Sequence, residues 1–395
     1  MRAKESVRVL LSAFIGSKNL GDEAIFAVLS QFVPRLLGAE LTVLSIDAPK
    51  TESFELPADT RVVVAGLPAF VRELRGSDAL VLGGGGIIQD ESSVVNLLYY
   101  ALQARVARRM LKKPVYLAFV GVGPVTSRLG HWLLRHMAHD VAGSLVRDPE
   151  SRDLLLAHGF ESERIVVAFD PVFNLEADDR PPRQNLPDDF VVFCPRDWFF
   201  TRRYQPTRFA LRAAKRRDNS GLMRYRRRLV ELVAALLRRH PTQTVVGVPF
   251  FLSQDTELLE WISAQLPEDL RQRFTVLTGY ISPGEYVAIA RRSRAVLGMR
   301  LHSLILGALS GRPLVGLVYS AKVRSLIAYL GLGSMATELT SPELDVERVL
   351  GHVDAALSGG PVPDAEKLAE IVRTNQEVAA AYFGRIRQDL TGGPR

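Results

Sequence analysis

The 395-residue sequence predicts an α/β protein built as two doubly wound lobes facing each other across a cleft. Three observations carry that prediction. Short apolar, β-branched runs alternate with helical-period segments along most of the chain. The alternation breaks once, at the proline-bearing stretch EADDRPPRQNLPDD (176–189), which predicts a linker. A content of 47% hydrophobic and 24% charged residues suffices for two cores. The predicted boundaries are an amino lobe at 1–178, a carboxyl lobe at 188–335 and terminal helices at 336–395.

In the amino lobe VRVLLSAFI, LTVLSI, RVVVAG, ALVLGG, PVYLAFVGV, GSLVR and IVVAF are apolar on both faces, as buried parallel strands are. DEAIFAVLSQFVPRLL and NLLYYALQARVARRMLK, between them, carry the helical period. After the linker FVVFCPR, TVVGVPF, FTVLTG, AVLGM and PLVGLVY resume the strand pattern, separated by helices such as YRRRLVELVAALLRRH and SPGEYVAIARRS. In the latter Ser282 and Glu285 make a capping box with Pro283 at the first helical position. AEKLAEIVRTNQEVAAAYFGRI predicts a long amphipathic terminal helix.

A single cysteine, Cys194, excludes an internal disulfide and a thiolate metal cluster and fits a reducing compartment. The first apolar run lacks a small-residue cleavage site and reads as a strand, and no window approaches a membrane span, so a cytoplasmic location is expected. Much of the net charge of +7 is local: residues 202–228 hold eleven Arg or Lys opposed only by Asp218. That stretch reads either as a solvated loop or as a contact with an anionic membrane at its inner face. It matches no nucleic-acid-binding motif, so nucleic acid is not an expected partner. There is no GxxxxGK[ST] loop, GxSxG elbow or HExxH pair, and His131, His136 and His139 are spaced to share a helical face only in part, so no metal is expected.

Ligands of doubly wound sheets bind at the carboxyl ends of the strands. In GMRLHSLILGALSGRPLVGLVYSAK (298–322) Arg300 and His302 follow one strand, Lys322 follows the next, and a helix beginning near Ser303 adds its N–H groups. Singly, each side chain is as readily a cap or surface residue. Together they predict a pocket for something small and strongly anionic. In the amino lobe GSKNLGDEAI offers Gly16 and Gly21 for close backbone approach, with Asn19 and Asp22 as caps of a helix near Glu23. Asp22 reads alternatively as a cleft carboxylate acting as a base. LVLGGGGIIQDES places Gly84 and Gly85 at a strand end and Gln89 and Asp90 ahead of the next helix, without the third glycine of a dinucleotide fingerprint. In SLVRDPES, Arg147 reads as a cleft cation and Asp148 as a helix cap.

These residues resemble the polysaccharide pyruvyl transferase family. The resemblance rests on NLGDEAI (19–25), GGGGIIQD (83–90), VGVGP (120–124), VRDPES (146–151), FDPVF (169–173), VPFFLSQD (248–255) and GMRLHSLILGALSGRPLVGLVYSAKV (298–323), in that order. Ala13 stands where the family has a glycine, and Phe251 where it often has His or Gln. The resemblance implies two Rossmann-like lobes in a GT-B-like arrangement, with the terminal helix packing back across the lobes. It implies transfer of a pyruvyl group from phosphoenolpyruvate, a co-substrate, with no cofactor, to a cell-wall or exopolysaccharide sugar or its lipid-linked precursor, forming a ketal. Arg147, Arg300, Lys322 and the Leu301 backbone are then donor contacts, and Asp255 is an available acceptor-side group. His302 is the expected general acid, since an imidazole exchanges protons at physiological pH; Asp22, Glu23 and Asp90 are unranked candidates for the base. The rival readings are a GT-B glycosyltransferase using a nucleotide sugar, and a non-catalytic binder of anions or nucleic acid.

Overall fold

The computed structural model describes residues 6–52, 56–90, 94–176, 181–197, 220–339 and 344–392. Most of the basic stretch, 202–219, lies outside the described residues, and its remainder opens the helix Ser220–Arg239.

The amino lobe is a seven-stranded sheet. Its strands are β1 (Val7–Ser12), β2 (Ala39–Ser45), β3 (Thr60–Val64), β4 (Ala79–Ile88), β5 (Val115–Val122), β6 (Gly143–Val146) and β7 (Ile165–Val167), in spatial order β3-β2-β1-β4-β5-β6-β7. The carboxyl lobe is a six-stranded sheet of β8 (Phe190–Cys194), β9 (Thr244–Gly247), β10 (Phe274–Val276), β11 (Ala295–Gly298), β12 (Leu314–Val318) and β13 (Ala336–Glu338), ordered β10-β9-β8-β11-β12-β13. Every strand pair is parallel. Helices cover both faces, which is why β5 and β12 are buried at every residue and read as unbroken apolar runs.

Strand order reverses between β1 and β4 in one sheet and between β8 and β11 in the other. Neighbouring crossovers leave to opposite faces at those two points and open crevices at the strands' carboxyl ends. The lobes are tied there by backbone: Leu20 N–H donates to the Phe250 carbonyl (2.7 Å) and Leu252 N–H to that of Lys18 (3.1 Å). Asn19 and Phe251 form the isolated bridge between these bonds. Because Phe251 acts through its backbone, an unusual side chain there leaves the lobe contact intact.

The terminal helix Ala365–Thr391 is capped by Asp364 and packs on the amino lobe. Tyr382 Oη donates to the Leu117 carbonyl in β5 (2.8 Å). Buried Asn375 accepts from Phe169 N–H (2.8 Å) and donates to the Asp170 carbonyl (3.1 Å), so the helix braces the loop after β7.

Candidate active site

The first helix, Leu20–Leu37, starts three residues earlier than its sequence suggests. Asn19 alone caps it, accepting from Gly21 N–H (3.1 Å), and Asp22 falls in the first turn, pointing at the cleft. The glycines explain how close that approach is. A Cβ on Gly85 in β4 would lie 2.7 Å from Asp22 Oδ1, and one on Gly21 would collide with the His302 ring from the other lobe. Gly84 is pressed in the same way against Ile25. Burial raises the Asp22 pKa above its ordinary 3.8, outweighing the nearby His302, Arg147 and Arg300, which favour the charged form.

His302 lies in the first turn of the helix Leu301–Ala308, whose opening N–H groups, those of Leu301 and His302, have no preceding helical carbonyl. Its Nε2 is 3.4 Å from Asp170 Oδ2 and 3.5 Å from Arg147 Nη1. Arg147 leaves the end of β6, lies flat against Gly121 of β5 and donates through Nη1 to Asp170 Oδ2 at 2.6 Å. Asp170 caps the short 3-10 turn Pro171–Asn174 through its other oxygen, and its pKa is lowered: Arg147 and His302 overcome the burial that would raise it.

Arg300 follows β11 and meets Asp255 in a bidentate pair, both contacts 2.7 Å. The Asp255 carboxylate also accepts from the N–H groups of Phe250 and Phe251 (3.1 and 2.8 Å). Asp255 is therefore the holder of Arg300 and not a free acceptor-side group, because buried carboxylate oxygens with those partners have no further reach. Burial works against charge on Arg300, yet Asp255 raises its pKa. Lys322 crosses to the amino lobe, 3.7 Å from Asp148, the cap of helix Pro149–Ala157. Burial and then Arg147 lower the Lys322 pKa, against the pull of Asp148 and Glu150.

Arg147, Arg300, Lys322, His302 and Asp22 thus come together. Two candidate bases do not join them. Asp90 accepts from Thr126 and Ser127 ahead of the helix Arg128–Ala138, and these bonds hold its pKa below the ordinary value despite partial burial, the wrong direction for a base. Glu23, one residue beyond Asp22, is fully buried and close enough to Tyr280 to help raise its pKa, after burial itself. Gln89 sits half-buried just past β4. Gly16, with φ +76°, lets the chain fold onto β2, where a Cβ would lie 2.6 Å from Asp47 N. It lines an amino-lobe groove of about 480 Å³ with Phe14, Lys18, Ile46 and Val64, and Phe14 also borders a small hollow over Asp22.

Sequence reasoning missed Asp170 and Asn375. FDPVF held the signal for Asp170, since an Asp before Pro is a natural cap. Nothing local marks Asn375, whose partners are about two hundred residues away in sequence.

A family model described as polysaccharide pyruvyl transferase matches residues 19–321. The chain belongs to the polysaccharide pyruvyl transferase family. Membership makes it a transferase of polysaccharide biosynthesis. Among curated proteins no sequence matched. Solved structures similar in fold include MnaA of S. aureus with UDP, at 9% identity and TM-score 0.59 over 98% of both chains. A UDP-N-acetylglucosamine 2-epimerase from Rickettsia bellii matches at 12% identity and TM-score 0.57, covering 97% of this chain and 98% of that one. The Neisseria meningitidis UDP-GlcNAc 2-epimerase bound to UDP-GlcNAc gives 12% and 0.56, covering 97% and 99%. At these identities the likeness concerns the fold, two α/β lobes of the GT-B kind. No described helix is long and apolar enough to cross a membrane.

Proposed function

We propose that this pyruvyl transferase family member moves the pyruvyl group of phosphoenolpyruvate onto two hydroxyls of one sugar in a cell-surface polysaccharide or its lipid-linked precursor, releasing phosphate. The observation that carries the reading is the convergence of Arg147, Arg300 and His302 on Asp22 at the carboxyl ends of the two sheets, with Lys322 beside Arg147.

Phosphoenolpyruvate presents a carboxylate and a phosphate. Each guanidinium keeps N–H donors beyond those its own carboxylate takes, and such forks bind planar anions bidentately. Lys322 adds a point charge. The reaction protonates the methylene carbon, joins one sugar oxygen to C2, breaks the C2–O bond to phosphate and joins the second sugar oxygen to C2. The two hydroxyl protons balance it: one equivalent ends on the new methyl group and one on phosphate. In this reading His302 delivers the proton to the methylene carbon or the leaving phosphate, and Asp22, its affinity for protons raised by burial, takes one from the attacking hydroxyl. Asp170 holds Arg147 and orients His302, and the groove bordered by Phe14 and Gly16 receives the sugar.

Incubation of enzyme, phosphoenolpyruvate and a panel of hexose and N-acetylhexosamine acceptors in D2O tests this. The expected product is a ketal whose methyl group carries one deuteron, with an equal amount of inorganic phosphate. UDP release from a UDP-sugar, without phosphate release, would instead make it a nucleotide-sugar glycosyltransferase.

A further inference from the structure

A second concentration of positive charge lies outside the cleft. Helix Val94–Arg105 and helix Arg128–Ala138 flank β5, and both bury one face in the same apolar cluster: Leu97, Tyr100 and Ala104 from the first, Leu133, Leu134 and Met137 from the second. They therefore cover the same side of the sheet, and their opposite faces look outward together. Those outward faces are apolar. Leu98, Leu102 and Leu129 are exposed, and Trp132 is 54% exposed. The first helix has no charged residue before Arg105. A helix apolar all round belongs in a core or against lipid.

The charge around this surface has one sign. Residues 94–140 contain seven Arg or Lys and a single carboxylate, Asp140, which is buried and already serves Arg109 (2.7 Å) and Arg105 (3.7 Å). Arg128 and Arg135 are exposed on the second helix, beside Leu129 and Trp132. A second copy of the chain is a poor occupant, because two such faces would oppose like charges. An anionic bilayer satisfies both features, since aromatic and leucine side chains enter the headgroup boundary while arginines meet phosphates.

We propose that this helix pair docks the protein on an anionic lipid bilayer, with Trp132 and Leu102 inserted at the interface. The surface begins at the rim of the cleft, where Asn96 donates to the Ile87 carbonyl at the end of β4 (3.4 Å), the strand whose Gly85 meets Asp22. A sugar carried on a lipid in that bilayer would enter beside Asp22. Docking itself does not depend on the donor's identity.

Flotation of the full chain with vesicles of phosphatidylglycerol and phosphatidylcholine, against phosphatidylcholine alone, tests the proposal. Wild type is expected to float with the anionic vesicles, and the Arg128→Gln/Arg135→Gln variant to lose about fivefold in partition for each charge removed. Leu102→Ser/Trp132→Ser loses flotation, and the vesicle-induced blue shift of tryptophan emission disappears in Trp132→Phe, which keeps an aromatic ring. Three results overturn it: equal flotation of all variants, loss of flotation only on neutralising 202–219, or a wild-type dimer that Leu102→Ser/Trp132→Ser dissociates.

Discussion

In the cleft three cations, Arg147, Arg300 and Lys322, each face a carboxylate, and Asp22 adds a fourth carboxylate, whereas the outer helices 94–105 and 128–138 carry Arg105, Arg128 and Arg135 and no carboxylate of their own. The cleft is charge-compensated, and its guanidiniums are held in fixed geometry by Asp170 and Asp255. The helix pair is open, and apart from Arg105 near Asp140 its charges lie among exposed apolar side chains. Positive residues in one sequence can therefore be fixed for recognition of a small anion or left loose for a charged surface. The partners, not the count of basic residues, separate the two proposed uses.

The comparison breaks first at His302. His302→Ala is expected to lower turnover by about a hundred- to ten-thousand-fold, the usual worth of a positioned acid or base, while the variant remains folded. Steady-state phosphate release with a circular dichroism melt checks it. Asp255→Ala strips the carboxylate from buried Arg300 and is expected to cost about 3–5 kcal/mol in denaturant unfolding, since it leaves a buried charge uncompensated. Replacement of Arg135, exposed on the helix pair, costs within about 0.5 kcal/mol.

A smaller effect sharpens the cleft side. Asn375→Ala removes three bonds to the loop that carries Asp170, those with Phe169, Asp170 and Asn174, with an expected loss of about 1–3 kcal/mol. A drop in kcat larger than any change in KM would mark it as a residue that positions Arg147 and His302. For Asp22, a base must be ionised, and burial raises its pKa. The acid limb of the kcat profile should then lie above pH 3.8 and vanish, with most of the rate, in Asp22→Asn. An unchanged limb would move the base elsewhere.

The doubly wound lobes were legible in the sequence because parallel strands buried on both faces leave unbroken apolar runs, as in FVVFC and LVGLV. Arg147, Arg300, His302 and Lys322 were legible because each follows a strand end, where topology places ligands. Their carboxylate partners were not. Asp170 and Asp255 are separated from Arg147 and Arg300 by 23 and 45 residues, and pairing at that distance leaves no periodic trace. The sequence leaves Asp22 open as a cap or a cleft carboxylate because caps and first-turn acids occupy neighbouring positions, and only the packing against Gly85 and the charge of His302 separate them. The helix pair was passed over for the opposite reason: its apolar residues fit a core helix, and only exposure shows that half of them lack one.

The central claim is that the compensated cations of the cleft hold a pyruvyl donor. Isothermal titration of wild type and Lys322→Gln with phosphoenolpyruvate and with UDP-sugars tests it most directly, since Lys322 is the least tightly paired of the three at 3.7 Å. The account predicts that phosphoenolpyruvate binds, that UDP-sugars do not, and that the variant binds the donor several-fold more weakly with its fold intact. Tight binding of a UDP-sugar, unaffected by Lys322→Gln, would contradict it.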